Sequence, residues 1–524
     1  MMNRTRDAVC VSLFLLILAP LSLGSGCAGT SPAVNPPQMQ TPSLRQRPGV
    51  GSDPRTAANR ATEAAIASLT PVTSPAGLFT VSPYVQWGEG NSDAISVLWQ
   101  SPGEVKRNWS IEQSVAGSGK WTKSGAVTSR PLRLSDFAPQ DIWTANLTGL
   151  VPGALFDYRI IMDGKPVFAA RARAKKNASA TEERFVVFGD CGTSSKEQKE
   201  IAFQASKEKP DFVFITGDIV YDRGRYSEYL KNFFPLYNAE GNSASEGASL
   251  MRSTFILAAA GNHDLSYKSM DKWPDGLAYF YVWDLPQNGP ALLPGAKNTP
   301  RMSGDLSAEK AMIAASGSAY PQMANYSFSY GNTHWTVLDS NYYTNWTDPM
   351  LHNWVEKDLA GAQNATWRFV AFHHPPFHSS NKHKEDQWMR VLTPLFEKYG
   401  VSVVWCGHVH NYQRSYPLRF IASEAKPDKD GRVAGTWTLD KAYDGDKVTK
   451  TSSPIYIVTG GGGASLYDRN LNDSPEKWQS FTVKYEAKVR SMSSVDINGK
   501  TLTVRQIGED GKELDRWQIT KYSQ

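Results

Sequence analysis

The stretch VVWCGHVHNYQRSYP, Val403–Pro417, sets two imidazoles two positions apart behind an apolar run. Side chains at i and i+2 of a regular strand share a face, so His408 and His410 can address one point. Gly407 lets the backbone bend close to whatever sits there. Two imidazoles suit a metal ion but do not complete its coordination. Other apolar runs end in the missing ligand types: FVVFGD in Asp190, FVFITGD in Asp218, FILAAAGNHD in Asn262, His263 and Asp264, and WRFVAFHH in His373 and His374. Carboxylates combined with imidazoles favour zinc, iron or manganese over an all-oxygen calcium site. Two acids, an asparagine carbonyl and several histidines exceed what one tetrahedral ion takes, so a dinuclear centre with a bridging aspartate is expected. Such pairs clamp phosphate esters and supply hydroxide near neutral pH.

The histidine distribution supports this grouping. All nine lie at or after position 263, and seven of them (His263, His373, His374, His378, His383, His408 and His410) fall in three candidate segments. His334 and His352 read as ordinary structural imidazoles, as do His374 and His378.

The elements that must position these residues follow an α/β rhythm after Glu183, with apolar strands alternating with amphipathic stretches. Sites in open α/β sheets gather at the carboxyl ends of strands, where these acids and histidines stand. Trp388, Leu392, Leu395 and Tyr399 recur at helical spacing and predict one helix between two of the strands. Ser266–Ala324, rich in Gly, Pro and Ser, reads as a loop-rich insertion. Tyr326–Asn341 reads as a strand pair, Pro454–Ser465 as a further core strand, and turns at NGK and EDGKE as closing antiparallel strands. Val81–Lys175 is β-rich with short Gly/Pro/Ser turns, which predicts an antiparallel sandwich. The expected organisation is a β-sandwich over 76–177, an α/β catalytic domain over 183–470 and C-terminal strands over 471–524 that close it.

At 524 residues, 40% hydrophobic and 20% charged, the chain is long enough for two or three folded domains. Its net charge of +5 is mild and no Lys/Arg stripe is present, so nucleic-acid binding has no support. Arg4 and Arg6 precede the apolar run Val9–Leu23 and a small-residue stretch ending at Cys27, the pattern of an export signal over 1–27. LGSGC resembles the lipobox of bacterial lipoproteins, although Gly24 stands where that pattern prefers leucine. An exported periplasmic or cell-surface protein, lipid-anchored through Cys27, is therefore expected, with 28–75 as a disordered tether. Cys191 and Cys406 remain and read as buried free thiols.

The blocks GDCG, GDIVYD, GNHD, VAFHH and GHVH stand in the order and wide spacing of the metallophosphoesterases. More narrowly they resemble the purple acid phosphatases, and the likeness runs from about Pro83 to Tyr416. LTGLVPGALFDYRI, in the sandwich, resembles fibronectin type III modules. The broader superfamily carries Asp-x-His in its first block; here Gly192 replaces that histidine and Tyr221, three after Asp218, supplies a phenol instead. The resemblance implies a mixed-sheet metallophosphoesterase fold in which Asp190, Tyr221 and His410 hold Fe(III). Asn262, His373 and His408 would hold Zn, Fe or Mn, with Asp218 bridging the two ions. It further implies that His263 faces substrate and that His383, ten residues after His373, is a second substrate-side histidine. The residue before His383, often histidine in plant relatives, is Lys382 here. Asp264, Asn411 and Arg414 are expected to orient imidazoles or loops. The implied activity is acid hydrolysis of small-molecule phosphate monoesters by a metal-bound hydroxide. A phosphodiesterase or nucleotidase is the nearest alternative, and an inactive surface binding lipoprotein a distant one.

Overall fold

The computed structural model describes residues 72–521 apart from 89, 91, 104–106 and 267. The export segment with Cys27, and the tether as far as 71, lie outside the described residues. Among the described residues no helix is long and apolar enough to cross a membrane.

Residues 81–173 form two four-stranded antiparallel sheets. One runs Val81–Gln86, Ile95–Pro102, Gln140–Leu147, Val127–Leu132; the other runs Thr122–Ser124, Trp109–Val115, Leu155–Met162, Lys165–Arg173. That order is the one found in immunoglobulin-type sandwiches. The sheets meet through tryptophans, Trp109 of one lying 5.5 Å from Trp99 and 5.8 Å from Trp143 of the other, centroid to centroid. Ile95–Pro102 is buried on both faces along most of its length, because the α/β part covers its outer side. Tyr84 Oη donates to Val282 O at 2.7 Å, Tyr158 Oη to Arg252 O at 2.9 Å, and Asn238 Nδ2 back to Ser82 O at 3.0 Å.

From Glu182 onward two larger mixed sheets pack together. The first has the parallel strands Phe255–Ala258, Phe212–Ile215 and Glu182–Phe188, continued by the antiparallel strands Ser491–Asn498, Thr501–Gly508 and Glu513–Thr520. The second is seven-stranded and has Thr333–Val337, Trp367–Ala371, Val403–Cys406 and Ile455–Thr459 as its parallel centre. Aromatic rings fill the space between them: Phe185 stands 5.1 Å from Trp335 and 5.7 Å from Phe369, and Phe214 5.0 Å from Trp335. The alternating apolar runs thus become strands whose inner faces interlock, with the expected C-terminal strands completing the first sheet.

Two local expectations need correction. The helix predicted over 388–399 is broken into a 3-10 turn, Trp388–Leu392, and a short α-helix, Thr393–Lys398. Pro394 is the cause, since it sits in the first turn of the second piece and lacks the N–H that would carry the ladder back into the first. The segment 266–324 is loop-rich, as expected, with short elements set in it. It holds the helix Leu306–Ser316, capped by Asp305 accepting from Ser307 N and Ala308 N at 2.7 and 3.1 Å, and a buried aromatic turn, Tyr279–Val282. The second correction is that the metal-type residues stand past the strand ends rather than on them. Strands stop at Phe188, Ile215, Ala258, Ala371 and Cys406, two to four residues short of Asp190, Asp218, Asn262, His373 and His408.

Candidate metal centre

Because these residues sit on the loops beyond two neighbouring sheets, backbone bends aim them. Asp190, Asp218 and His408 have φ of 58°, 48° and 65°. Left-handed backbone in a non-glycine residue costs on the order of 1–3 kcal/mol and persists only where surroundings enforce it. Here they do: His408 N donates to Asp190 Oδ1 and Oδ2 at 3.1 and 2.9 Å, and His263 N to Asp218 Oδ1 at 3.0 Å. The strand argument for His408 and His410 therefore fails, yet both still reach the site. Gly407 is required by proximity, since a Cβ there would stand 2.6 Å from Asp190 Oδ2; at Gly261 it would stand 2.1 Å from Asp218 Oδ1.

The imidazoles are oriented by acceptors. Nδ1 of His373 faces Thr216 O at 2.8 Å, and Nδ1 of His410 faces Ser465 O at 2.8 Å. A carbonyl only accepts, so each Nδ1 carries hydrogen and each Nε2 turns its lone pair inward. His410 Nε2 meets Tyr221 Oη at 3.0 Å and Asp190 Oδ1 at 3.4 Å, and Tyr221 Oη lies 3.3 Å from Asp190 Oδ1. His373 Nε2 meets Asp218 Oδ2 at 3.2 Å. His408 is reversed: its Nε2 donates to Asp386 Oδ2 at 3.0 Å, so Nδ1 faces inward, 3.2 Å from His373 Nε2.

The result is two groups of converging acceptors, Asp190 with Asp218 and His410, and Asp218 with His373 and His408, sharing one carboxylate. Asn262 Oδ1 is buried without a hydrogen-bond partner. Two lone-pair nitrogens at contact distance, a shared carboxylate and an orphaned carbonyl form a site that fits cations. Electrostatics agree. Burial opposes ionisation of Asp218, but the His373 and His263 imidazoles outweigh it and hold the carboxyl well below its usual range. Burial also disfavours charge on His373, yet Asp218 and Asp190 overcome it and raise that imidazole to about 9. Burial, followed by the Asp190 and Asp218 charges, holds the Tyr221 phenol protonated far above its ordinary range, so ionising it calls for a cation.

His263 and His383 flank the acceptors without completing them. His263 Nδ1 donates to Asp222 O at 2.9 Å, its Nε2 stands 3.8 Å from Asp218 Oδ2, and its ring lies 4.6 Å from that of Tyr221. The His383 ring lies 4.0 Å from that of His408, tilted by 50°, and meets Asp386 through Nδ1 at 3.3 Å. Asp264 ties two ligand loops together, accepting from Gly261 N at 2.9 Å and Ile219 N at 3.2 Å; burial and then Asp218 raise its carboxyl to about 7. Asn411 instead faces Tyr485 and Gln413, at 3.0 Å each. Arg414 is a clear correction, for its guanidinium is buried against Asp515 of the last strand at 2.8 and 3.1 Å and orients no imidazole. Cys191 and Cys406 are free and buried.

The structure adds residues that the motifs omit. Asp386 joins His383 and His408 in a third acceptor group. Its signal in the sequence is only an acid three residues after an imidazole, inside the charged run KHKEDQ, which reads as a solvated loop. Tyr467 stacks flat on His410, 4.0 Å between centroids and 13° between planes. Asp468 accepts from Ser380 Oγ, and from Asn381 N at 2.9 Å, on the loop that carries His383.

Comparison with known proteins places this geometry. Residues 183–412 match the calcineurin-like phosphoesterase family. Probable inactive purple acid phosphatase 1 of Arabidopsis thaliana is 22% identical over 82% of this chain and 67% of its own length. Purple acid phosphatase 13 of the same plant is 26% identical over 69% of this chain and 62% of its own length. Among solved structures, the purple acid phosphatase PPD1 of yellow lupin superposes with a TM-score of 0.58 at 18% identity, covering 84% of this chain and 74% of that one. Residues 183–412 are therefore a calcineurin-like phosphoesterase domain, and the chain around them is similar to purple acid phosphatases.

Proposed function

We propose that the protein hydrolyses phosphate monoesters of small molecules at a dinuclear centre held by the acceptors described above. Asp190, Tyr221 and His410 hold one ion, Fe(III); Asn262, His373 and His408 hold Zn, Fe or Mn; Asp218 serves both. The observation that carries this reading is the pair of acceptor groups sharing Asp218, with Asn262 Oδ1 buried and unpartnered beside them. Bound there, the ions supply Lewis acidity and an activated water for in-line attack on phosphorus. His263, held by Asp222 O and leaving Nε2 free toward the cleft, steadies the phosphate or returns a proton to the leaving oxygen. His383 does the same from the opposite side, its ring fixed by Asp386.

A second reading draws on the relative named as a probable inactive enzyme. One experiment separates the two: metal analysis, a visible spectrum and turnover of p-nitrophenyl phosphate against its bis-ester. The expected outcome is two metals per chain, a charge-transfer band that Tyr221→Phe bleaches, and faster turnover of the monoester. Asp218→Asn should lose both ions, since it serves both groups. Stoichiometric metal with no turnover of either ester would leave a binding protein; faster diester cleavage would move it to the phosphodiesterases.

A further inference from the structure

The two acceptor groups are ringed by aromatic side chains, each close to the next. His263 lies 4.6 Å from Tyr221, Tyr221 6.0 Å from His410, His410 4.0 Å from Tyr467, Tyr467 5.8 Å from His383, and His383 4.0 Å from His408, all between centroids. Five members of this collar have a place in the ligand set or beside substrate: Tyr221, His408 and His410 in the first, His263 and His383 in the second. Tyr467 is the member left without a task. It is held twice over, by its parallel stack on His410 and by its backbone N–H, which donates to His410 O at 3.0 Å. The same segment supplies Ser465 O to His410 Nδ1 and Asp468 to the His383 loop, so its position is tied to both flanks of the centre. Tyr467 is half-buried, and its hydroxyl has no hydrogen-bond partner among the described residues.

A phosphate ester presents only acceptor oxygens, and most groups converging on this centre are acceptors too. Oxygens not taken by the ions need donors on the rim. We propose that Tyr467 is a substrate-binding residue whose hydroxyl donates a hydrogen bond to a non-bridging oxygen of the phosphate held at the metal centre. The proposal rests on the phosphatase reading. Tyr467 adjoins His410 and His383, whereas His263 adjoins Tyr221 and Asp218, so the two reach the centre from different neighbours. A purely packing role, with the ring merely covering His410, predicts that phenylalanine serves as well as tyrosine.

The test uses the metal-loaded full chain and Tyr467→Phe, which keeps the ring and removes only the donor. A hydrogen bond to a charged oxygen corresponds to roughly a 10- to 100-fold effect. The Phe variant should therefore lose 10- to 100-fold in kcat/KM for p-nitrophenyl phosphate and bind inorganic phosphate correspondingly more weakly by calorimetry. Metal content and the visible band should match wild type. Phosphate affinity within twofold of wild type would overturn the proposal, and so would loss of metal in the Phe variant, because the effect would then run through His410. A wild type that binds metal and phosphate but turns over no ester would sink the phosphatase reading alone, since phosphate affinity still reports on Tyr467.

Discussion

At the scale of single residues, the centre is built by making each donor of hydrogen point outward. Thr216 O, Ser465 O and Asp386 take the outer ring hydrogens of His373, His410 and His408, and the inner nitrogens face one another. Asp386 is the charged member of that set. Burial opposes its ionisation, but hydrogen bonds from His383 and His408 hold its carboxyl far below the usual range. Replacing it with alanine frees His408 to rotate or change tautomer. Partners of this kind are worth about 10–100-fold in metal affinity or activity. Asp386→Ala should therefore release the ion bound by His408 more readily on dialysis while the ion on the Asp190 side is retained, as metal analysis would read. Equal loss of both metals would contradict the assignment of His408 to one ion. Asp190, Asp218, Tyr221, His373, His408 and His410 converge, and their motifs were legible because few side chains combine these chemistries at strand ends. Asp386 and Tyr467 were illegible because a carboxylate or phenol in a polar loop has many roles, and only the folded path of the loop selects one.

At the scale of elements, the strands were legible and the loops were not. Continuous apolar runs such as FVVF, FVFI and VVWC have one stable use, the buried interior of a sheet, and they occupy it. The single helix expected at 388–399 is broken, and the loop-rich reading of 266–324 holds but misses a buried turn. In the first, Pro394 overrode a good apolar spacing; in the second, Gly and Pro content masked LAYFYVWDL, a run too aromatic for surface loop. The loop bearing His383 shows what fixes an irregular segment. Asp468, itself at φ 48°, accepts from Ser380 Oγ, from Asn381 N at 2.9 Å and from Lys382 N at 3.4 Å, a short cradle spanning the residues before His383. Asp468→Ala should loosen this loop without touching the core. Hydrogen exchange at Asn381 and Lys382 should quicken and turnover should fall about 10-fold, the scale of a misplaced catalytic group. The melting temperature should hardly change, because few buried contacts are lost. Unchanged exchange at those two amides would show that something else orders the loop.

At the scale of the whole molecule, the sandwich is a buttress. Among the described residues it contributes no member to the acceptor groups, and its contacts run to segments outside them, such as those of Val282 and Arg252. Its last strand leads into Lys175, which is buried where the sandwich meets the α/β part. The ammonium sits 4.6 Å over the Trp87 ring and donates to Trp87 O at 3.3 Å and Gly90 O at 3.5 Å. Burial drags its pKa from 10.5 to about 8, with Asp93 and Asp284 opposing only in part. The unfolded chain therefore binds the proton between pH 8 and 10.5 while the folded chain does not. Stability contributed by this residue must rise with pH through that window, by up to roughly 3 kcal/mol at 1.4 kcal/mol per pKa unit. Other groups titrate there as well, so the informative quantity is a difference. Urea melts of wild type and Lys175→Met at pH 7.5, 9 and 10.5 should show wild type gaining stability relative to the variant at each step upward. A constant difference across the three would mean that Lys175 keeps its ordinary proton affinity, and that water reaches the joint between the two parts of the molecule.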